Sequence, residues 1–472
     1  MKKIAVAFVI FSCTVSAQYT DFNITKEVKV KHKGVVVSAH PLASEAGASV
    51  LRAGGNAYDA VVATQYALAV VYPQAGNIGG GGFLVGVKNN GEKFTLDYRE
   101  TAPRKATHDM YIDKNGKADT GLSQYGRLAS GVPGSVAGFF ATLKYCRLPM
   151  NKLIAPAIDL AEKGFAITAQ EAALLNAHKE NFLKHNSSST VFVKDTPWKA
   201  GDLLVQKDLA ETLKRIRNMG LKGFYEGQTA GLMVAEMQKG NGIITPEDLR
   251  NYKVAERKAL EFDYKGNHVV SMPLPSSGGI LLAQMLKMAA LENLETYKQY
   301  DTKAVQVMIE AERRAFADRA EYMGDPDFIE DKTQYLISDE YLKNRWKSFS
   351  FSKATPSSEV GKIIRQPKES TETTHISVLD KDGNAAAVTT TLNGLYGSKV
   401  VVSGAGFFLN NEMDDFSVKP GVPNMFGAVG GEANSIRPNK RMLSSMTPTI
   451  VLKNGKPYMV VGTPGGTTIP TS

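Results

Sequence analysis

Cysteine is nearly absent from this sequence: 472 residues carry two, Cys13 and Cys146. Cys13 lies beside an apolar stretch at the start of the chain, and if that start is removed Cys146 has no intramolecular disulfide partner, so the core alone must hold the fold. No run of membrane-spanning length is present either, because the apolar stretch at residues 4–11 falls far short of the ~20 residues that cross a bilayer. The seven histidines include no His-Glu-x-x-His or other close pair, which leaves zinc chemistry without ligands. A Gly-x-Ser-x-Gly elbow is missing, and the glycine run at 76–82 is not followed by Gly-Lys-Ser or Gly-Lys-Thr, which argues against a serine-elbow hydrolase and a nucleotide-binding P-loop. Ser350-Phe351-Ser352-Lys353 matches Ser-x-x-Lys, but the Lys-Thr-Gly companion of a penicillin-binding acylase does not occur. Long basic runs are also lacking. The formal charge of +9, from 56 basic and 47 acidic residues, is dispersed and gives no nucleic-acid arm.

What is there describes an exported globular protein. Hydrophobic residues make up 43% and charged residues 22%, enough for a sizeable core in one large domain or two to three ordinary ones. Met1, Lys2 and Lys3 precede the apolar stretch, and Val15-Ser16-Ala17 precedes Gln18, the layout of a signal peptide over residues 1–17. A periplasmic or secreted location follows, with no stable membrane span. Cys13 keeps a lipoprotein reading open, although Phe11 ahead of Ser12-Cys13 suits lipid attachment poorly.

A strand-like run at 34–39 is followed by helical patterning at 43–51 and again at 57–70, with Asn56 placed to cap the second helix. The glycine-dense segment leads into a hairpin of residues 83–87 and 94–98 around Asn90-Gly91. The middle third reads as mostly helical scaffold. There Thr168 and Glu171 form a capping box, Thr245-Pro246-Glu247 opens a helix, and 302–322 carries a long amphipathic pattern stopped by Gly324-Asp325-Pro326. Residues 350–371 are polar, an exposed connection. Beyond them the chain is β-forming, with hairpins at 374–392 around Asp382-Gly383 and at 449–462 around Asn454-Gly455. Helices first, then a sheet assembled from both ends of the chain, describe a layered mixture of helix and strand better than separate domains.

Thr373 stands where the polar connection ends and a strand begins. In isolation Thr373-Thr374 is two β-branched residues suited to a pleated surface. Its surroundings say more. Glu372-Thr373-Thr374-His375-Ile376-Ser377-Val378 is followed by Asp380-Lys381-Asp382-Gly383-Asn384 and Thr389-Thr390-Thr391-Leu392-Asn393. Leu409-Asn410-Asn411-Glu412-Met413-Asp414-Asp415-Phe416, then Lys440-Arg441-Met442-Leu443-Ser444-Ser445-Met446, then Gly462-Thr463-Pro464-Gly465-Gly466 come after. In this order the segments closely resemble the gamma-glutamyltransferase family. Asp97-Tyr98-Arg99-Glu100, Gly131-Val132-Pro133-Gly134 and Pro275-Ser276-Ser277-Gly278-Gly279 extend the resemblance over nearly the whole chain after residue 17.

The resemblance implies an α+β fold, the four-layer αββα sandwich of N-terminal-nucleophile hydrolases. It implies self-cleavage between Glu372 and Thr373 into chains of residues 18–372 and 373–472, which remain together as one intertwined heterodimer. Family members continue past the position of Ser472, so it also implies a small chain truncated at its C-terminus. A threonine hydroxyl needs a nearby base, and an α-amine exposed by cleavage, with a pKa of about 8, suits that role on the same residue. By resemblance Thr391 assists the new terminus, and Gly465 and Gly466 offer backbone N–H groups to the oxyanion. Arg99 would hold the α-carboxylate of a γ-glutamyl group with Ser444 and Ser445, while Asn393, Glu412 and Asp415 would receive its α-ammonium.

Residues 420–431 resemble the family's active-site lid with Phe426 as its gate, and because a phenylalanine has no hydroxyl, any latch must rest on packing. The donors implied are glutathione and other γ-glutamyl compounds, and the acceptors are water, amino acids or dipeptides, with no cofactor or metal. Taken singly, Arg99 reads equally as an ion pair, the acidic residues as a solvated turn, and the serines and glycines as loop punctuation. A cephalosporin or glutaryl acylase of the same fold, which would keep the nucleophile and change the pocket, and an unprocessed scaffold are the alternatives.

Overall fold

The computed structural model describes residues 34–361 and 372–472, so the expected signal peptide at 1–17 lies outside the described residues. Among them twelve strands occur: β1 (Val35–Val37), β2 (Gly81–Val87), β3 (Lys93–Asp97), β4 (Phe165–Ala166), β5 (Leu203–Leu204), β6 (Ala255–Arg257), β7 (Leu260–Tyr264), β8 (Asn267–Ser271), β9 (Thr373–Leu379), β10 (Ala385–Thr391), β11 (Thr449–Lys453) and β12 (Lys456–Val461). Six form one antiparallel sheet in the order β1-β9-β10-β2-β3-β6, four form a second in the order β12-β11-β8-β7, and β4 pairs with β5.

Side-chain alternation decides which way each sheet faces. Phe83, Val85 and Val87 of β2 and Ala385 and Ala387 of β10 enter a core shared with Val270 and Ile450 of the smaller sheet, so the two sheets stack face to face. The intervening residues, Leu84, Ala386, Val388, Ile376 and Val378, join the core beneath helices Pro41–Arg52, Ala57–Val71 and Met150–Lys163. On the far side Leu260, Phe262 and Val269 pack with Ile280, Leu281, Val307 and Ala311 of helices Gly278–Leu291 and Thr302–Tyr322. The layers therefore run helix, sheet, sheet, helix, as the resemblance implied.

Two local devices set the register that matters for the site. Every residue of helix Ala57–Val71 is buried, as expected for a helix that is apolar all round, and it starts on a capping box formed by Asn56 and Asp59. Asp380, at the β9–β10 turn, accepts from the first N–H of that helix (Ala57, 3.0 Å) and from Asn384 Nδ2 (2.7 Å). The buried carboxylate thus ties the hairpin to the helix N-terminus, where a negative charge is favoured.

The middle third departs from the expectation of helical scaffold. β7 and β8 supply half of the second sheet, so that sheet is built from the middle and the end of the chain, not from its two ends. Their turn, Lys265-Gly266, takes positive φ at both positions (48° and 77°), and lysine at the first of them gives none of the usual Asn-Gly or Asp-Gly signal.

Candidate active site

Thr373 is the first residue of β9, and its cross-strand partner is Thr391, the last residue of β10. Both are nearly inaccessible, 4% and 3% exposed. Thr373, His375 and Ser377 alternate onto the face that meets the second sheet, which puts Thr373 at the rim of the inter-sheet core. The Thr391 hydroxyl donates to the Glu372 carbonyl oxygen at 3.2 Å and accepts from the Asn393 N–H at 2.9 Å. Asn393 holds φ at 75°, a left-handed conformation that asparagine tolerates, and this turns its N–H back onto the hydroxyl. Asn77 braces the same strand end by donating to the Thr391 carbonyl (2.8 Å) and the Thr390 hydroxyl (3.2 Å). Gly80 is needed there because a Cβ would stand 2.2 Å from the Thr391 carbonyl oxygen.

His375, two residues from Thr373, is not a base in waiting. Burial pushes its imidazole down to about 3, and its nitrogens contact the hydroxyls of Thr389 (2.8 Å) and Ser377 (3.1 Å).

A small cavity of about 20 Å³ lies beside Thr373 and Thr391. Of the residues expected at the site, Arg99, Asn393, Asp415, Phe426, Ser444, Ser445 and Gly466 also line it; Glu412 and Gly465 do not. Arg99 is fully buried just past the end of β3. Its Nη2 donates to Asp415 Oδ2 at 2.5 Å, and its Nη1 stands 2.5 Å from Glu412 Oε2 without hydrogen-bond angles, which leaves both Glu412 oxygens lacking an aligned donor. Burial alone would lower the Arg99 pKa, but Glu412, Asp415 and Glu100 outweigh it and hold the guanidinium charged. The same burial pushes Glu412 well above the usual carboxylate range and Glu100 to about 8, in both cases against the pull of Arg99. Glu412 thus pairs with Arg99 and, unlike Asp415, does not line the cavity.

The serines divide their work. Ser444 Oγ accepts from the Met446 N–H at 3.2 Å and keeps its own proton to donate, whereas Ser445 Oγ is buried with no partner among the described residues. Asn393 Nδ2 is committed to the Asn411 carbonyl at 3.0 Å. Gly465 and Gly466 hold φ at 146° and 55°, and a Cβ on Gly466 would press on the Phe426 ring at 3.1 Å. Phe426 thus closes against a residue that has to be small.

The segment 420–431, expected to act as a lid, is held by more than that ring. Asn424 Nδ2 donates to Asp415 Oδ1 (3.1 Å), the Met425 N–H donates to Asp414 Oδ2 (2.9 Å), and Asn424 Oδ1 caps the N–H groups of Phe426 and Ala428. The expectation of a latch by packing alone holds for the Phe426 ring and fails for the loop that carries it, because the polar partners come from its neighbours.

Sequence reasoning passed over four residues that also line the cavity: Arg319, Met446, Thr467 and Ile469. Arg319 had a readable signal. Val307, Ala311 and Ala315 form a buried stripe at four-residue spacing on helix Thr302–Tyr322, and Arg319 continues it with a charge.

A strand-end threonine beside its own upstream carbonyl, facing a pocket with cationic and anionic groups, is matched by comparison with known proteins. The gamma-glutamyltranspeptidase family matches residues 43–472. The chain belongs to that family. The glutathione hydrolase proenzyme of Escherichia coli (strain K12) is 48% identical over 443 residues, covering 93% of this chain and 76% of the relative. That of Pseudomonas sp. (strain A14) is 47% identical over 442 residues, covering 93% and 77%. Among solved structures, Helicobacter pylori gamma-glutamyltranspeptidase superposes with a TM-score of 0.69 at 47% identity, over 70% of this chain and 96% of that one. A cephalosporin acylase from Bacillus halodurans has a TM-score of 0.80 over 98% of this chain and 82% of that one, but at 26% identity. The shared fold with the acylase is close; the shared sequence lies with the transpeptidases.

Proposed function

We propose that this chain is a self-processing gamma-glutamyltransferase and glutathione hydrolase in which Thr373 opens its own peptide bond and then acts as the N-terminal nucleophile. The observation that carries this reading is the Thr391 hydroxyl, which donates to the carbonyl that Thr373 would attack. When Thr373 Oγ adds to the Glu372 carbonyl carbon, negative charge grows on an oxygen that already has a donor, and the Asn393 N–H polarises that donor in turn. Collapse breaks the C–N bond, the proton from the hydroxyl ends on the new α-amine, and water hydrolyses the Glu372–Thr373 ester. Departure of the carbonyl frees the Thr391 hydroxyl for the new terminus.

In turnover the α-amine of Thr373 is the base, since neutral His375 is too acidic as its conjugate acid to hold a proton near neutral pH. Thr373 Oγ attacks the γ-carbonyl of the donor, the N–H groups of Gly465 and Gly466 receive the oxyanion, and the leaving amine takes the proton. Water or an amino acid or dipeptide then accepts the γ-glutamyl group. The donor's zwitterionic end suits a cavity that holds Arg99 and two serines on one side and Asp415 with the Asn393 amide on another. Glutathione and other γ-glutamyl compounds are the proposed donors, and residues up to 372 and from 373 onward are the two chains of the mature heterodimer. Export to the periplasm or medium is proposed from the leader at 1–17; among the described residues no helix is long and apolar enough to cross a membrane.

The test is to incubate the purified chain, sequence any new terminus and assay γ-glutamyl-p-nitroanilide. A fragment beginning Thr-Thr-His-Ile-Ser together with nitroaniline release supports the reading. An active protein whose 372–373 bond stays joined would falsify it.

A further inference from the structure

The turn that follows β10 closes around a buried lysine. Asn393, Tyr396, Gly397 and Lys399 take positive φ (75°, 58°, 51° and 68°), which curls residues 393–399 tightly. Lys399 is 5% exposed, and its ammonium donates to the carbonyls of Leu395 and Gly397, the latter at 3.1 Å. The Tyr125 ring centroid lies 5.8 Å from it. Neither carbonyl carries a charge, and a buried cation is costly unless an anion offsets it. Two lines lead from this ammonium to the bond ahead of Thr373. The turn it clasps begins with Asn393, whose N–H donates to the Thr391 hydroxyl, and that hydroxyl donates to the Glu372 carbonyl oxygen. Glu372 is also the acidic group that its charge reaches: burial lowers the Lys399 ammonium to about 8, and the Glu372 carboxylate opposes the drop. His178 is lowered by burial and then by Lys399, and His185 by burial and then by Lys184, Lys399 and Arg127, which itself pairs with Glu236. Both histidines are neutral at pH 7 and above, so neither changes charge between pH 7 and 9.

We propose that Lys399 is a positioning residue of self-cleavage: fixed by its own turn, its ammonium attracts the Glu372 side chain and so keeps the carbonyl of that residue on the Thr391 hydroxyl while Thr373 attacks. This rests on the proposed self-processing and adds to it a residue that touches no reacting atom. Lys399 neither gives nor takes a proton in the step. Its contribution is to hold the scissile carbonyl where Thr373 Oγ can reach it, and attack depends steeply on such placement. The two side chains therefore act as one unit, and what each supplies is its charge.

The experiment follows the half-time of maturation of the full chain, by denaturing gel and intact mass, in wild type, Lys399→Gln, Glu372→Gln and the double variant. Each single variant should mature about 3- to 10-fold more slowly, the range for one partly screened charge pair, and the double variant no more slowly than either, because both changes remove the same interaction. Lys399→Arg keeps its charge where the buried lysine loses it, so the ratio of its rate to that of wild type should rise between pH 7 and 9. Wild-type rates in both single variants, multiplied slowing in the double variant, or a ratio flat in pH each overturn the proposal and leave Lys399 a brace of its turn. Should Lys399→Gln not fold, the advantage of wild type over Glu372→Gln decides: it must shrink over the same pH range, and a constant advantage refutes the pairing. A wild-type chain that never cleaves itself refutes the proposed function instead.

Discussion

Thr391→Val removes one hydroxyl while nearly preserving shape, and its effects on self-cleavage and on stability can be separated. The Thr391 hydroxyl stands 3.2 Å from the Glu372 carbonyl oxygen, longer than the ~2.7–2.8 Å of a strong O–H···O bond. It therefore stabilises the resting peptide weakly and gains as charge develops on that oxygen, which is the condition for lowering a barrier. Loss of one oxyanion donor costs about 10²–10³ in rate, or ~2.7–4 kcal/mol. The buried Asn393 N–H also loses its acceptor, which removes ~1–3 kcal/mol of folding stability. The first effect is read as the half-time of maturation on denaturing gels with intact-mass confirmation, and the second as the urea midpoint of a Thr373→Ala background that cannot cleave. Thr391→Ser restores the hydroxyl and should mature at close to the wild-type rate. If Thr391→Val matures within about threefold of wild type, the hydroxyl has no part in opening the bond.

Thr373→Ala should abolish both the appearance of the Thr-Thr-His-Ile-Ser terminus and nitroaniline release, and any self-processing in that variant would overturn the nucleophile assignment. Arg99→Ala leaves Glu100, Glu412 and Asp415 around an uncompensated buried position and should cost ~3–5 kcal/mol in chemical denaturation, while a variant of unchanged midpoint would mean the cluster is solvated. Phe426→Ala removes the ring that rests on Gly466, so donor KM should rise and hydrolysis should gain on transfer in product analysis; unchanged partition would leave the ring no gating role. His375 titrates near 3 when folded and at about 6.5 when unfolded, so its contribution is present above 6.5 and is lost as pH falls toward 3. Denaturation of His375→Asn across that window should show a flatter acid limb than wild type, and identical limbs would place the lost stability elsewhere.

Much of the fold was legible because its signals are local. Asn56 as a cap and Thr168 through a capping box announce helix starts that the structure contains, and the hairpins around Asn90-Gly91, Asp382-Gly383 and Asn454-Gly455 follow from turn chemistry. The β7–β8 hairpin escaped because Lys265 takes positive φ at the turn position where Asn or Asp would have signalled it. Site residues lie between positions 99 and 466, and no periodicity reports that distant loops meet, so their grouping was visible only through ordered resemblance. That route names residues but not their partners. It gave no sign that Glu412 pairs with Arg99, that Asn424 ties residues 420–431 to Asp415, or that Arg319 reaches the cavity from a helix read as scaffold.

The strand order has a mechanical corollary. β9 and β10 are wedged between β1 and β2 in one sheet, and β11 leans on β8 in the other. A break ahead of residue 373 would thus divide the chain at a point where three separate ladders still stitch the pieces together. Pulling them apart would demand dismantling both sheets, so severing the backbone alters connectivity without loosening the assembly. Dilution should leave the halves joined, and only denaturant should part them.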